Sequence, residues 1–201
     1  MLDSGLVYLS DSSDQVKTWE SVMALLILGS ILFILSHLIA VFGYRARIEA
    51  VGGHHAYMGL VTIVSIISLI MVVMGYQQTS YQRLWLPLPA SYQLANYLMP
   101  IAAILLVAGN VPSNIGRFIK HPMLTGIALW AFLHLLANGD LSSTIIFITF
   151  GGYAIYRRLT LQPKPSEAQP IYRDILAIAA GLVLFGVLYY FHEAVSGVGL
   201  P

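Results

Sequence analysis

The hydrophobic pattern divides the chain into six apolar runs separated by short polar segments. The runs cover residues 21–42, 57–76, 94–111, 122–137, 141–156 and 174–191. A helix rises about 1.5 Å per residue, so a run of about 20 residues crosses the ~30 Å hydrocarbon core of a bilayer. The pattern therefore predicts an all-α, polytopic transmembrane helix bundle. This six-helix domain spans residues 19–193, after a short acidic N-terminal segment, 1–18, and before a C-terminal tail, 194–201.

The stretch from Lys120 to Asp140 contains the strongest local signals. His121 precedes a proline, and residues before proline avoid helical backbone angles, so we expect His121 just outside the fourth helix. Asn138-Gly139-Asp140 is a turn signal in which the glycine permits positive φ and Asp140 caps the fifth helix. The fourth and fifth runs should therefore form an antiparallel helical hairpin. Residues 43–55 and 160–170 are expected to be polar connections.

The basic residues are distributed unevenly among the connections. Eight of the ten Lys and Arg residues follow the first, third and fifth runs. The positive-inside rule then places both termini outside, and periplasmic in a Gram-negative cell. The eight are Arg45, Arg47, Arg117, Lys120, Arg157, Arg158, Lys164 and Arg173.

Composition supports a membrane protein and narrows the chemistry. The chain is 58% hydrophobic and 9% charged, with a mean hydropathy of +0.77, whereas soluble domains carry about 25% charge. The formal charge of +1 gives no indication of a nucleic-acid partner. The absence of cysteine excludes disulfides, thiolate metal sites and thiol catalysis.

Two histidines lie inside apolar runs, where a polar ring is costly without a partner. His37 lies about two turns from the inner end of the first run. His134 lies near the outer end of the fourth, on one helical stripe with Gly126 and Trp130. Each histidine is either a hydrogen-bonding core residue or a ligand of a metal or heme. A glycine and an aromatic residue beside His134 suggest a flat slot for a ring.

The other histidines have interfacial alternatives. His121, beside Lys120, either contacts solvent and headgroups or binds a cofactor phosphate at a helix start. The His54-His55 pair is expected in a wet loop, and His192-Glu193 is expected to anchor the last helix at the interface. Counting along the helices, His37 matches the height of His121, and His134 matches that of His192, whereas His37 and His134 differ by ~10 Å.

Several segments resemble the NnrU-type membrane proteins. They are HLIAVFGYRARI at 37–48, GLVTIVSIISL at 59–69 with MGY at 74–76, LMPIAAILLVAGN at 98–110, and above all HPMLTGIALWAFLHLLANGD at 121–140. The resemblance implies a bacterial inner-membrane protein linked to nitric oxide and denitrification metabolism. It also implies a relation to 15-cis-zeta-carotene isomerase, a membrane enzyme whose heme b has two histidine ligands.

The resemblance assigns those two ligands to His37 and His134. His121, at a helix start, and Trp130, beside His134, are further candidate cofactor-binding residues because of their positions. HPMLTG is also similar to the RHPxYxG motif of isoprenylcysteine carboxyl methyltransferases, although Lys120 replaces the arginine and Leu124 the tyrosine. The expected activity is isomerase, redox or nitric-oxide chemistry on a hydrophobic small molecule. The alternative is a non-catalytic accessory or assembly subunit of a membrane oxidoreductase. Expected partners are the lipid bilayer and either another membrane protein or further copies of the chain.

Overall fold

The computed structural model describes residues 4–162 and 167–200, with side chains from residue 18 onward. This part of the chain is helical apart from turns and an isolated bridge between Arg83 and Asp140. The helices are α1 (Ser4–Leu38), α2 (Tyr44–Gln78), α3 (Ser91–Ala108), α4 (Ile115–Phe118), α5 (Pro122–Ala137), α6 (Leu141–Thr160), α7 (Ile171–Tyr190) and α8 (His192–Ser196).

The first of two compact units, residues 1–82, is a helical hairpin of α1 and α2. Small residues let the two backbones approach closely: a Cβ added at Gly29 would lie 2.8 Å from the Ser68 carbonyl oxygen. A Cβ added at Gly75 would lie 2.7 Å from the Leu26 nitrogen. The buried Ser68 hydroxyl donates to the Val64 carbonyl at 2.6 Å, so it needs no partner across the interface.

Two boundaries in this unit differ from the sequence-based expectation. Helix α1 ends at Leu38, and residues 39–43 form turns that close on Gly43 at φ 77°. The predicted loop at 43–55 is wrong, because helix resumes at Tyr44 and is interrupted only at Gly53, with φ 77° and ψ 170°. At the other end of α1, helix extends back to Ser4 through most of the predicted acidic segment 1–18.

The second unit, residues 83–201, is organised around α3, which packs against α5 and α7, while α5 packs against α6. Gly126 of α5 brings that helix onto α3, since an added Cβ would lie 2.7 Å from the Ala102 carbonyl oxygen. Gly181 has the same role in α7, where the Cβ would lie 2.5 Å from the Ile104 Cα. These contacts fix α5, which carries His134, against its neighbours.

The turn between α5 and α6 receives both a cap and a docked loop. Asp140 caps α6 as predicted, because its carboxylate accepts from the Ser143 N–H at 2.9 Å and the Ser143 hydroxyl at 2.6 Å. The N–H groups of Leu84 and Trp85 donate to the Gly139 carbonyl at 2.6 and 3.1 Å. Gly139 does not have positive φ, contrary to expectation, and an added Cβ would instead collide with the Trp85 carbonyl oxygen.

The start of α7 is held by a side-chain network. The Asn114 side chain donates to Asp174 at 2.7 Å and to the Gln169 carbonyl at 2.7 Å, and it accepts from the Gln169 N–H at 2.9 Å. The Asn114 backbone N–H also donates to Asp174, at 2.6 Å. The predicted linker 160–170 includes residues 163–166, which lie outside the described residues.

The helices carry apolar side chains on their outward faces, as membrane-embedded helices do. Ile63 is 59% exposed, Ile175 62% and Val183 66%, and water would not stabilise so extensive an apolar surface. Within the described residues, four segments are long and apolar enough to cross a membrane, and α5 is a shorter apolar helix. The four segments are Thr18–Leu38, Tyr44–Gln78, Ser91–Ala108 and Ile171–Tyr190. The chain is therefore a multi-pass membrane protein.

Candidate functional site

His134 lies one turn before the end of α5, inside a group of aromatic rings. Its ring stacks on Phe147 of α6, with centroids 4.6 Å apart and planes at 28°, and lies 5.1 Å from the Trp130 ring. Trp130 in turn meets Phe147 and Phe150 edge-on, at 5.0 and 6.4 Å. Both phenylalanines are buried. The tight α5–α6 turn creates this cluster by folding α6 back along α5.

His192 follows α7 and brings a second imidazole to the same cluster. Its ring centroid lies 6.4 Å from that of His134, and the two planes are within 18° of parallel. Short helix α8 begins at His192 and ends at Ser196, and the next residue, Gly197, turns the chain back with a φ of 72°. Val198 thereby reaches the ring: the His192 Nδ1 lies 3.0 Å from the Val198 carbonyl oxygen and 3.2 Å from the Ser196 hydroxyl.

The hydrogen bonds of both rings determine which nitrogen carries the proton. A carbonyl oxygen can only accept, so the Nδ1 of His134, 2.9 Å from the Trp130 carbonyl, must be the protonated nitrogen of a neutral ring. The same holds for His192 and the Val198 carbonyl. Among the described residues nothing forms a hydrogen bond with either Nε2. A neutral imidazole of this tautomer keeps on Nε2 the lone pair that binds metals.

This donor chemistry fits heme iron. Metal-binding histidines almost always donate the other ring N–H to a carbonyl or carboxylate, and that arrangement is present in both rings. The surroundings of His134 are aromatic and apolar, as in pockets that exclude water from a porphyrin. In the part of the chain that the structure describes, no group of three or more His, Cys, Asp or Glu side chains is placed to hold a metal ion. Heme iron needs no such group, because the porphyrin supplies four of its ligands.

His37 belongs to the other compact unit, residues 1–82. Its Nδ1 lies 2.8 Å from the Phe33 carbonyl, one helical turn back, and 3.1 Å from the Ser36 hydroxyl. The ring also stacks on Phe33 at 4.3 Å. His37 and His134 therefore share one local arrangement, an Nδ1 directed at the carbonyl of residue i−4. This arrangement satisfies the Nδ1–H of each ring inside an apolar helix.

His121 lies at the opposite end of α5 from His134, and its side chain forms a hydrogen bond with a backbone carbonyl. It precedes the helix in a left-handed conformation, with φ 54° and ψ 62°, and Pro122 takes the first helical position as predicted. The His121 Nε2 donates to the Leu161 carbonyl at 2.9 Å, which ties the start of α5 to the end of α6. The structure therefore separates His121 from the aromatic cluster around His134.

The remaining histidines occupy the kinked start of α2. His54 lies 2.8 Å from the Glu49 carboxylate, which also pairs with Arg45 at 2.9 Å. His54 and His55 meet edge-on at 5.8 Å. His54 and His55 lie in helix directly after the kink at Gly53. The pair therefore belongs to an exposed ion-pair network on a helix and not to the expected solvent-exposed loop.

The sequence analysis singled out His134 and Trp130, and it placed His134 and His192 at the same depth in the membrane. It also predicted a flat slot for a ring beside Gly126, and that prediction is wrong. The space beside Gly126 is filled by α3, so no ring can lie there. Phe147, Ser196 and Val198 were missed. Phe147 was accessible in principle, because an antiparallel hairpin about the turn at 138–140 places residues of the second turn of α6 beside the last turns of α5.

Comparison with known proteins gives one family. Residues 25–200 match the family model described as NnrU protein. The match covers both compact units and includes His37, His134 and His192. No curated protein and no solved structure matches the chain.

Proposed function

The chain belongs to the NnrU family, and from that premise we propose that it is a bacterial inner-membrane protein that binds heme b through histidine. The observation that supports this most directly is His134. Its Nδ1 is occupied by the Trp130 carbonyl, its Nε2 is uncommitted among the described residues, and its surroundings are aromatic. His37 has the same i−4 arrangement within its own unit, and its role as a ligand stays a prediction of the family resemblance.

The chain's own residues would orient the ligand and exclude water. The Trp130 carbonyl holds the proton of His134 on Nδ1, so Nε2 faces a metal as a neutral donor. Stacking on Phe147 restricts rotation of the ring, which keeps the donor in one direction. A bound heme would supply an iron suited to electron transfer, isomerisation or nitric oxide chemistry. A hydrophobic substrate would reach this iron from the bilayer.

An optical spectrum of the detergent-purified protein tests the proposal. After expression with ample heme supply, we expect a Soret band that is lost in His134→Ala. His55→Ala, which removes an exposed histidine outside the cluster, is the matched control and should keep the band. A wild-type protein that stays folded and colourless would refute the heme proposal.

We further propose that all six long helices cross the membrane with both termini outside. The eight basic residues that follow the first, third and fifth predicted spans support this orientation. Helix α5, with 16 residues, is about 24 Å long and would need a locally thin bilayer or flanking residues at the interface. Because the chain has no cysteine, single cysteines report topology cleanly. Cysteine at position 118, where Phe118 is 83% exposed, should react only from the inside, and cysteine at position 198 only from the outside.

A further inference from the structure

Helix α2 is divided by the kink at Gly53 into a first segment, residues 44–52, and a second segment, residues 54–78. The second segment has roughly 25 residues and is about 37 Å long, which is enough to cross the ~30 Å hydrocarbon core. The crossing does not need the first segment, which is left for the headgroup level at its end. Gly43 and Gly53, both at φ 77°, change the direction of the chain on either side of the first segment.

The first segment carries its two cations on different faces. Arg45 pairs with Glu49 at 2.9 Å, and His54 lies 2.8 Å from the same carboxylate. Arg47, two residues after Arg45, lies on nearly the opposite face of the helix. Its guanidinium carbon is 5.6 Å from the centroid of the Tyr44 ring, and within the described residues no carboxylate lies within ion-pair distance of it. The positive charge on this face is therefore not balanced by the chain's own groups.

A groove lies at the kink, on the face that carries Arg47. It has a volume of about 430 Å³, within the roughly 300–1,000 Å³ of small-molecule sites. Apart from the cation its lining is apolar or glycine, and both segments of α2 contribute to it. Val51 is 92% exposed, an arrangement that water does not favour but an acyl chain does. The residues that line the groove are Arg47, Ile48, Val51, Gly52, Ala56 and Leu60.

We propose that this groove binds an anionic phospholipid, with the phosphate at Arg47 and an acyl chain along Val51 and Leu60. A guanidinium binds a phosphate through two parallel, charge-assisted hydrogen bonds. The apolar part of the lining continues from the first segment into the crossing, which is the direction that an acyl chain takes from its headgroup. The groove belongs to one compact unit, so it does not depend on how the two units are arranged, nor on the heme proposal.

Two other occupants fit the groove less well. A soluble anion would use Arg47 and leave the apolar lining uncovered. A zwitterionic lipid also carries a phosphate, but its ammonium group offsets the attraction to the cation. Basic residues at the end of a crossing are attracted to anionic lipids, and Arg47 is the cation here that has no counter-ion in the described chain.

A fluorescence experiment on the full chain tests the headgroup contact. Since the chain has no cysteine, Gly59→Cys gives one labelling site next to the groove, and an added Cβ there meets no neighbouring atom within 4 Å. The labelled protein is reconstituted in phosphatidylcholine vesicles in about 0.15 M salt, where charges are screened beyond about 8 Å. Brominated phosphatidylglycerol should quench the label more strongly than brominated phosphatidylcholine at equal mole fraction.

Arg47→Gln should lower the relative binding constant of phosphatidylglycerol about fivefold, the factor for one basic residue at an anionic membrane surface. Arg45→Gln is the matched control, because it removes the same charge from the face that Glu49 already neutralises, and it should change the constant less than about twofold. Equal quenching by the two lipids in wild type, or equal losses in the two variants, would overturn the proposal.

A second pair of variants tests the acyl-chain contact. Val51→Ser keeps the charge but makes the lining polar, and should weaken phosphatidylglycerol binding about threefold or more. Met58→Ser, at an exposed apolar residue outside the groove, is its control and should have little effect. Millimolar inorganic phosphate should not relieve the quenching. Relief by phosphate would identify a site for a soluble anion, and an unchanged Val51→Ser protein would show attraction of the headgroup alone; either result would refute the phospholipid site.

Discussion

Replacing Asp140 by alanine should destabilise the α5–α6 hairpin on which the aromatic cluster depends. The variant loses an N-cap bond to the Ser143 N–H, a loss that costs about 1 kcal/mol in typical helices. It also loses the bond from the Ser143 hydroxyl at 2.6 Å to a charged, buried acceptor, and bonds to charged groups contribute about 1.5–3 kcal/mol. Together these terms predict a loss of about 2.5–4 kcal/mol in the free energy of unfolding.

Unfolding in mixed micelles, followed by circular dichroism, measures this loss. Ser143→Ala removes the hydroxyl bond to Asp140 and keeps the capped backbone N–H, so its cost should be smaller, about 1.5 kcal/mol. The double variant, Asp140→Ala with Ser143→Ala, should be within a few tenths of a kcal/mol of Asp140→Ala in stability. The Ser143 hydroxyl has already lost its acceptor in Asp140→Ala, so its removal adds little. An Asp140→Ala protein within about 0.5 kcal/mol of wild type would show that the carboxylate does not hold the helix start.

Three further predictions concern the second unit. Gly126→Ala should destabilise it by about 1–3 kcal/mol, since the new Cβ would lie 2.7 Å from the α3 backbone, whereas Gly152→Ala, with open space around the Cβ, should be neutral or stabilising in the same unfolding assay. Asn114→Ala should raise hydrogen exchange at 167–174, because it removes three side-chain bonds to Gln169 and Asp174, and unchanged protection would contradict that role. Trp130→Ala should lower the free energy of unfolding by about 2 kcal/mol and reduce the heme content, whereas Trp130→Phe should stay closer to wild type in both stability and heme content. Equal losses in the two variants would argue against ring packing as the cause.

The sequence was most informative where local chemistry allows few backbone conformations. A proline after His121 and the Asn-Gly-Asp run left few options, and the structure has the predicted helix start and the predicted Asp140 cap. Each of these signals acts within four residues, so no knowledge of distant contacts was needed. The apolar runs likewise predicted an all-helical membrane protein, and four segments of the described chain are long and apolar enough to cross a bilayer.

The errors arose at residues whose role depends on contacts with distant parts of the chain. Gly139 was read as a positive-φ residue, but it makes room for the Trp85 carbonyl, more than fifty positions earlier in the chain. Gly126 was read as one wall of a ligand slot, but it admits the α3 backbone. Residues 43–55 were predicted to be a loop because two cations end the first apolar run and two adjacent glycines follow, yet helix begins at Tyr44 and continues until Gly53 interrupts it. A glycine in a sequence indicates that the backbone there needs room or an unusual conformation, but it does not indicate which neighbouring group comes close.

The pairing of His134 with His192 shows how far counting along helices can reach. Rise per residue predicts the depth of a side chain in the bilayer, and depth alone matched these two histidines while separating His134 from His37. Depth does not predict azimuth, so the count could not say whether α7 would bring His192 to the same side of α5. The structure supplies that second coordinate through α3, against which both α5 and α7 pack by way of Gly126 and Gly181. Two glycines on separate helices thus decide that the imidazoles meet, and a larger residue at Gly181 should separate the rings of His134 and His192 without altering either histidine.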